Sequence, residues 1–410
     1  MPPRPVDLRR HAYVKVYVNG DDVTDTLDPY LISVQVIDKS DDNDTCSLEL
    51  DDRDGRLAIP PDKGFLQVFM GWQAFGPRVP PVAPLTGADT ELPWEGAPSL
   101  VFQGTVVSAE SAFSRTPGRR LFIEAEGTDI HSSVKTKLFR SMGEGEVRDS
   151  NGELQGGVTD AQGITLRQAL TEAGQLVGHK VYISEEMGNI RRDNWSIMGE
   201  SFRAWATRIA QEVGGDAKFG FDASGSPALF FYKKGEAGTL FEMPEAGTVG
   251  IEAWWGINLI AWRIKPFTAR PQFKQSKSEW FDLVNAKWKN VTQDIGGELP
   301  FGRSEATNSL PAAAPNRQVG EQFNQAMERG SRFDRGTGWV QINGEPQARA
   351  RRQLTIVGAR PGVDGSYQIS EAEHNYTRSG GYTTRCTLKQ PNIDPTWYKS
   401  TWDQGQAPNE

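Results

Sequence analysis

Asp44-Thr45-Cys46-Ser47-Leu48-Glu49-Leu50-Asp51-Asp52-Arg53-Asp54-Gly55-Arg56-Leu57 is the stretch whose pattern settles the class of fold. Residues 46, 48 and 50 are apolar and their neighbours polar, so one face of a strand meets a core and the other meets water. The Asp- and Gly-rich run behind it is turn chemistry. Upstream, Tyr13-Val14-Lys15-Val16-Tyr17-Val18 is β-branched and aromatic, and Asn19-Gly20 follows as a hairpin turn. A further strand is predicted over 31–38, and others over 65–71, 100–107 and 120–126. Strands of this length punctuated by turns predict a small closed antiparallel barrel. Residues 75–98 carry Pro77, Pro80, Pro81, Pro84, Pro93 and Pro98, a density that no sheet admits, and read as a surface excursion.

The middle of the chain changes period. Thr165-Leu166-Arg167-Gln168 is a capping box, and Leu166, Ala169, Leu170, Ala173 and Val177 then recur at helical spacing before Gly178. A second helix starts at Ser201 and shows Phe202, Trp205, Ile209 and Val213 on one face, ending at Gly214-Gly215. Strands are expected at 181–183 and, as a hairpin, at 219–222 and 228–232. Strands return at 259–266, 279–289, 354–359, 366–376 and 382–389, with one short helix near 318–329. Composition marks 296–320, which contains Leu310-Pro311-Ala312-Ala313-Ala314-Pro315, as a flexible loop that protease should cut first. The expected organisation is a first β domain over 1–145, an α+β middle over 146–238 and a second β domain over 239–410.

Composition narrows the function. A chain of 410 residues is long enough for several domains, and Gly 43 and Pro 25 suit many turns. A net charge of −8 argues against non-specific nucleic-acid binding. With 2 cysteines, Cys46 and Cys386, no disulfide framework is expected. The first residues lack the apolar run of a signal peptide, and 250–264 is too short and interrupted to span a bilayer, so a soluble protein made in the cytoplasm is expected.

Each candidate site has a plainer reading. His11, His131, His179 and His374 are scattered, and Asp129-Ile130-His131-Ser132 places neighbours on opposite faces of a strand, so no triad converges. Gly199-Glu200-Ser201 lacks the second glycine of a nucleophile elbow, and helix capping explains Ser201 better. Asp51, Asp52, Asp54 and Gly55 evoke a calcium loop, but the twelfth position counted from Asp52 is Lys63 where a bidentate Glu is needed. No catalytic, cofactor or metal site is therefore expected, and the protein is read as no enzyme. Trp254, Trp255 and Trp262 with Arg263, Lys265, Arg270 and Lys274 interleave aromatics and cations as single-strand binders do. Subunit interfaces are enriched in the same residue types, and Trp254, Trp255 and Trp262 are read as core or interface anchors.

Taken in order, three segments resemble the late control protein D family, the baseplate hub proteins of contractile-tailed phages, related to the first part of type VI secretion spike proteins. They are residues 44–57 with Pro60, Gly64 and Gly71-Trp72, then Phe102-Gln103-Gly104-Thr105-Val106-Val107 leading to Leu121 through Asp129, then 354–362 with Tyr367, His374 and Gly381-Tyr382-Thr383-Thr384. The middle, 165–170 and 201–209, fits in order and spacing. The match covers about residues 12–392; the excursion at 75–98, the loop at 296–320 and the tail after Asn392 depart from it. The resemblance implies a mainly β chain with two small hub-type β-barrels and an intervening α/β domain. It implies a homotrimeric ring of near-sixfold geometry, joining a sixfold tail tube to a threefold central spike in the virion's baseplate. The implied partners are the spike, expected as a separate polypeptide, tail tube or tube-adaptor proteins, baseplate wedge proteins and the tape measure protein. Neither a membrane nor a specific nucleic-acid site is implied, although DNA would pass through the ring. The rival is a carbohydrate-binding or cell-wall-degrading tail protein that uses some of the 12 tryptophans as sugar platforms.

Overall fold

The computed structural model describes residues 10–60, 64–74, 99–116, 118–128, 133–143, 163–222, 224–236, 250–266, 275–282, 285–295, 307–309, 313–314, 316–334 and 336–392. The expected excursion at 75–98, most of 296–315 and the tail beyond 392 lie outside them.

The deciding stretch forms the strand Thr45–Asp51, with Cys46, Leu48 and Leu50 buried on one face. Asn19 and Gly20 take positive φ, 53° and 92°, the backbone a two-residue hairpin turn needs. That hairpin returns only as far as Asp21–Asp22. The full-length partner of Arg10–Val18 is Phe65–Ala74, antiparallel from Arg10↔Ala74 to Val18↔Leu66.

One sheet of 13 strands holds both β regions. Its order runs Leu259–Lys265, Thr337–Asn343, Gly381–Asn392, Gly365–Thr377, Leu31–Lys39, Thr45–Asp51, Gly118–Glu126, Ser99–Ser114, Phe65–Ala74, Arg10–Val18 and Asp21–Asp22. Gln353–Val357 and Ile251–Trp254 branch from Gly365–Thr377. Gly365–Thr377 is long enough to serve two neighbours. Its first half pairs with Gln353–Val357, and bulges at 366/368 and 369/371 turn its second half onto Leu31–Lys39. The fold is thus mainly β with an α+β part, as expected. Among the described residues, however, hydrogen bonds do not close two separate barrels, because the pairing of Leu31–Lys39 with Gly365–Thr377 fuses the two regions. Each region keeps its own core: Val16, Val36, Leu48, Val68 and Leu121 in the first, Val340, Ile342, Leu354, Ile369 and Leu388 in the second.

The α+β unit packs Leu166–Leu176 and Phe202–Val213 on a three-stranded sheet ordered Lys180–Ile183, Pro227–Lys233, Gly215–Phe221. Both helix starts are capped as the sequence predicts: Thr165 and Gln168 close a capping box, and Ser201 Oγ accepts from Ala204 N at 3.2 Å. Trp195, Phe202 and Trp205 fill the core, together with Val134 and Met142 from before residue 146. Lys137–Gly143 pairs with Asn194–Ser201, so the unit draws its first elements from sequence read as the first domain.

Two expectations in the last third need correction. The single strand expected at 279–289 is a hairpin, Gln275–Asp282 with Lys287–Asp294, because Asp282 and Asn285 hydrogen-bond to each other and turn the chain. The loop expected at 296–320 is not wholly loop. Thr307–Ser309 adds a parallel strand to Gln275–Lys277, Ala314 is buried, and Asn316 caps a helix over Arg317–Phe333. Ala314 N donates to Glu279 O of the hairpin at 2.7 Å, a backbone contact that composition alone does not announce. That helix bridges the units: Asn324 Nδ2 donates to Val291 O in the hairpin, and Arg329 Nη1 donates to Val213 O in the α+β unit.

Candidate functional site

The residues singled out for chemistry do not converge. Ser201 is a cap, as expected. Asp51 is turned onto Arg53, while Asp52 Oδ1 accepts from Leu57 N at 3.1 Å; the segment is a turn built on its own carboxylates. His11 is exposed, His179 lies in the α+β core and His131 falls outside the described residues. His374 is fully buried between Tyr382 Oη at 2.8 Å and Thr384 Oγ1 at 3.2 Å. Burial, followed by the nearby charge of Arg349, pushes its pKa down to about 3, so the ring is neutral. Cys46 and Cys386 are free thiols buried in different cores. Among the described residues no group of three or more His, Cys, Asp or Glu is placed to hold a metal, and no helix is long and apolar enough to cross a membrane.

The tryptophans sit at one end of the sheet. Trp254 ends Ile251–Trp254, half-buried, with Nε1 donating to Glu252 Oε2 at 2.8 Å. Trp255 is 56% exposed, and its ring meets that of Trp262 edge-on at 5.1 Å and 88°. Ile257 and Ile260 are exposed beside them. Perpendicular rings do not make the flat platform that a sugar face stacks on. The cluster is instead an apolar patch on Leu259–Lys265, the strand that begins the sheet order. Arg263 and Lys265 of the same strand are exposed; Arg270 and Lys274 lie outside the described residues.

The sheet has two ends, and both are open for most of their length among the described residues. Leu259–Lys265 pairs with Thr337–Asn343 along one side, and on the other only its first residue, Leu259, is bridged, by Trp255. Arg10–Val18 pairs throughout with Phe65–Ala74, but on its other side pairing reaches only from Val18 back to Val16, whose carbonyl accepts from Val23 N and whose N–H donates to Thr24 Oγ1. An open edge is a template for another strand.

At the centre lies a junction that the sequence reading missed. Asp38 of Leu31–Lys39, Lys218 of Gly215–Phe221 and Arg349 are all buried, one from each of the three units. Lys218 Nζ donates to Asp38 Oδ1 at 2.8 Å and lies 3.1 Å from Asp44 Oδ1. Arg349 donates to the carbonyls of Val101 and Leu100 and lies 3.6 Å from Asp38 Oδ2. Burial by itself would raise the Asp38 carboxyl, but the charges of Lys218 and Arg349 outweigh it and hold it far below the usual range. Around this knot, Phe65 meets Phe221 edge-on at 5.1 Å, and Arg351 stacks over Tyr232 at 3.2 Å. A signal was present in the sequence: residues 34, 36 and 38 share one strand face, so Asp38 stands where Val34 and Val36 predict an apolar residue.

Two six-stranded β regions fused edge to edge, with an α+β unit clamped against both, make up the fold of phage tail proteins. The chain superposes on the 43 kDa tail protein of prophage MuSo2 from Shewanella oneidensis at a TM-score of 0.58, with 13% identity over 94% of this chain and 99% of that one. A tail protein from Neisseria meningitidis gives the same score and identity over 94% and 98%. The VgrG complex with PdpA from Francisella matches at 0.53 and 8% identity, over 95% of this chain and 54% of that one. No protein-family model and no curated protein sequence matches the chain. The likeness is one of fold, and at that level it agrees with the resemblance read from the sequence.

Proposed function

We propose that this chain is the structural baseplate hub of a contractile phage tail, a homotrimeric ring joining a sixfold tube to a threefold spike in the virion. The observation that carries the reading is the duplication within one sheet. The first region runs from Leu31–Lys39 to Arg10–Val18 and the second from Leu259–Lys265 through Gly365–Thr377 to Ile251–Trp254, with six strands in each apart from the short Asp21–Asp22. Three such chains present six comparable regions to a sixfold neighbour while keeping threefold chemistry toward a spike. The open edges at opposite ends of the sheet order support head-to-tail addition, the heterologous contact that closes into a ring. The fold likeness to tail proteins supports the setting. Function here is carried by surfaces: Trp254, Trp255 and Trp262 serve as interface anchors, and the chain turns over no substrate. Its partners are the spike, the tube or its adaptor, the wedges and the tape measure protein. Light scattering of the protein co-expressed with its spike is the test. Three copies of each are expected, and a dimeric or one-to-one complex rules the hub out.

A further inference from the structure

Lys218 stands in the middle of a strand whose neighbours Ala217 and Phe219 are buried and apolar, and its own side chain is 4% exposed. Two carboxylates are arranged around it. Asp38 Oδ1 accepts from Nζ at 2.8 Å, and Asp44 Oδ1 lies 3.1 Å from the same nitrogen. The other oxygen of Asp38, Oδ2, faces away from the amine, where Ala350 N donates to it at 3.3 Å and Arg349 Nη1 lies 3.6 Å off. An amine held against a carboxyl, a second carboxylate touching that amine, and a backbone donor with a guanidinium charge near the far oxygen are the parts of an amide-forming site. We propose that Lys218 and Asp38 become joined by an intramolecular isopeptide bond, which the folded chain makes itself with Asp44 shuttling the proton.

The step balances without any co-reactant. Within the pair, Lys218 Nζ passes one proton to Asp38 Oδ1, leaving a neutral amine beside a carboxylic acid, a minor form that burial makes reachable by penalising both charges. The amine lone pair attacks Asp38 Cγ, and the carbonyl electrons move to Oδ2, where Ala350 N–H and the Arg349 guanidinium receive the negative charge. Asp44 takes a second proton from the nitrogen and returns it to Oδ1. That oxygen leaves as water, the carbonyl re-forms at Oδ2, and the amide keeps the last proton. Because Lys218 and Arg349 hold Asp38 ionised in the resting state, the reactive form is scarce, so the bond accumulates slowly after folding. It would tie the first β region covalently to the α+β unit, independently of any role in a tail.

The test is the intact mass of the full-length protein, followed as the purified sample ages. A species lighter by one water is expected, and digestion should release a branched peptide joining the Asp38 and Lys218 segments. Lys218→Arg removes the nucleophile and Asp44→Ala removes the shuttle, and each should abolish the branched peptide. Wild-type protein that keeps its full mass at every age overturns the proposal without reference to any variant's folding. So does a water loss that survives in Lys218→Arg, since it would then come from elsewhere, such as ring closure at Asp54-Gly55 or Asp364-Gly365.

Discussion

Asp216 carries a largely buried carboxyl, its side chain 12% exposed, on the strand beside Tyr232, with the Lys234 amine 3.8 Å away. Burial is the chief cause of a pKa raised to about 6, with Lys234 opposing the rise and Asp41 reinforcing it. The folded protein therefore holds a proton that the unfolded chain, at 3.8, has released. Asp216 favours folding fully below about pH 4, and that contribution is lost as pH rises through about 6. The gap between the folded and unfolded values corresponds to about 3 kcal/mol. Asp216→Asn should therefore melt higher than wild type at neutral pH and lose that advantage near pH 4. His374 acts with the opposite sign: kept neutral when folded, it weakens the fold as pH falls below 6.5 toward 3. Only a variant-minus-wild-type comparison isolates Asp216, and a pH-independent difference in melting temperature would contradict its burial. Trp205 offers a second test: it is fully buried against Phe202, and Trp205→Ala should cost about 3–5 kcal/mol. An unchanged melting temperature would contradict that packing. Trp205 is legible in the sequence because helical spacing puts it on the face of Phe202 and Ile209. Lys218 is not, since a strand buried on both faces has no alternation from which a charged residue can depart.

The helices can be read from the sequence because their ends carry local chemistry. Thr165, Gln168 and Ser201 act on backbone groups within three residues, so no tertiary knowledge is needed. Gly214 closes Phe202–Val213 in the left-handed conformation, φ 68°, and does a second job that the sequence could not announce. A Cβ there would stand 2.6 Å from Ala326 Cα, because Arg317–Phe333 crosses at that point. Gly214→Ala combines an unfavourable φ with an overlap against backbone. It should therefore cost more than the roughly 1 kcal/mol of a C-cap glycine loss alone. Thermal melts of Gly214→Ala beside Gly178→Ala, which also has positive φ but open space around it, separate the two causes. Equal losses would mean that the helix crossing is not tight. The helix Arg317–Phe333 runs past the expected 318–329 to a buried Phe333, and its buried face is hard to read because it includes Gly320 and Asn324, the latter donating to Val291 O. Thr337–Asn343 escapes a reading of the sequence for a related reason, as only Val340 and Ile342 mark its inner face.

At the scale of the whole molecule, the pairing that matters most joins Val36 to His374, and nothing in Leu31–Lys39 or Gly365–Thr377 names the other as its neighbour. Alternation tells a strand which face to bury and leaves its edge partner open. The same holds for strands that meet between chains. Leu259–Lys265 offers an edge unpaired beyond Leu259 and flanked by Trp255, Ile257 and Ile260, all exposed, whereas the first region's open edge is Arg10–Val18, with Tyr13 and Tyr17 on one face. If these two edges meet in the ring, the tryptophan patch becomes the apolar centre of each of three identical contacts. Obligate interfaces bury on the order of 2,000 Å² or more, and a few aromatic anchors near their centre dominate the energy, each costing about 2 kcal/mol or more when truncated. Trp255→Asp with Ile260→Asp should then weaken assembly at least about thirtyfold, since 1.4 kcal/mol is a factor of ten. Both side chains are exposed in the single chain, so its melting temperature should stay within about 1 °C of wild type at concentrations where neither associates. Sedimentation of the spike-bound complex reads the first quantity and calorimetry of the free chain the second. A trimer that survives both substitutions removes this patch from the interface, whereas a fallen melting temperature would show that the tryptophans belong to the chain's own core.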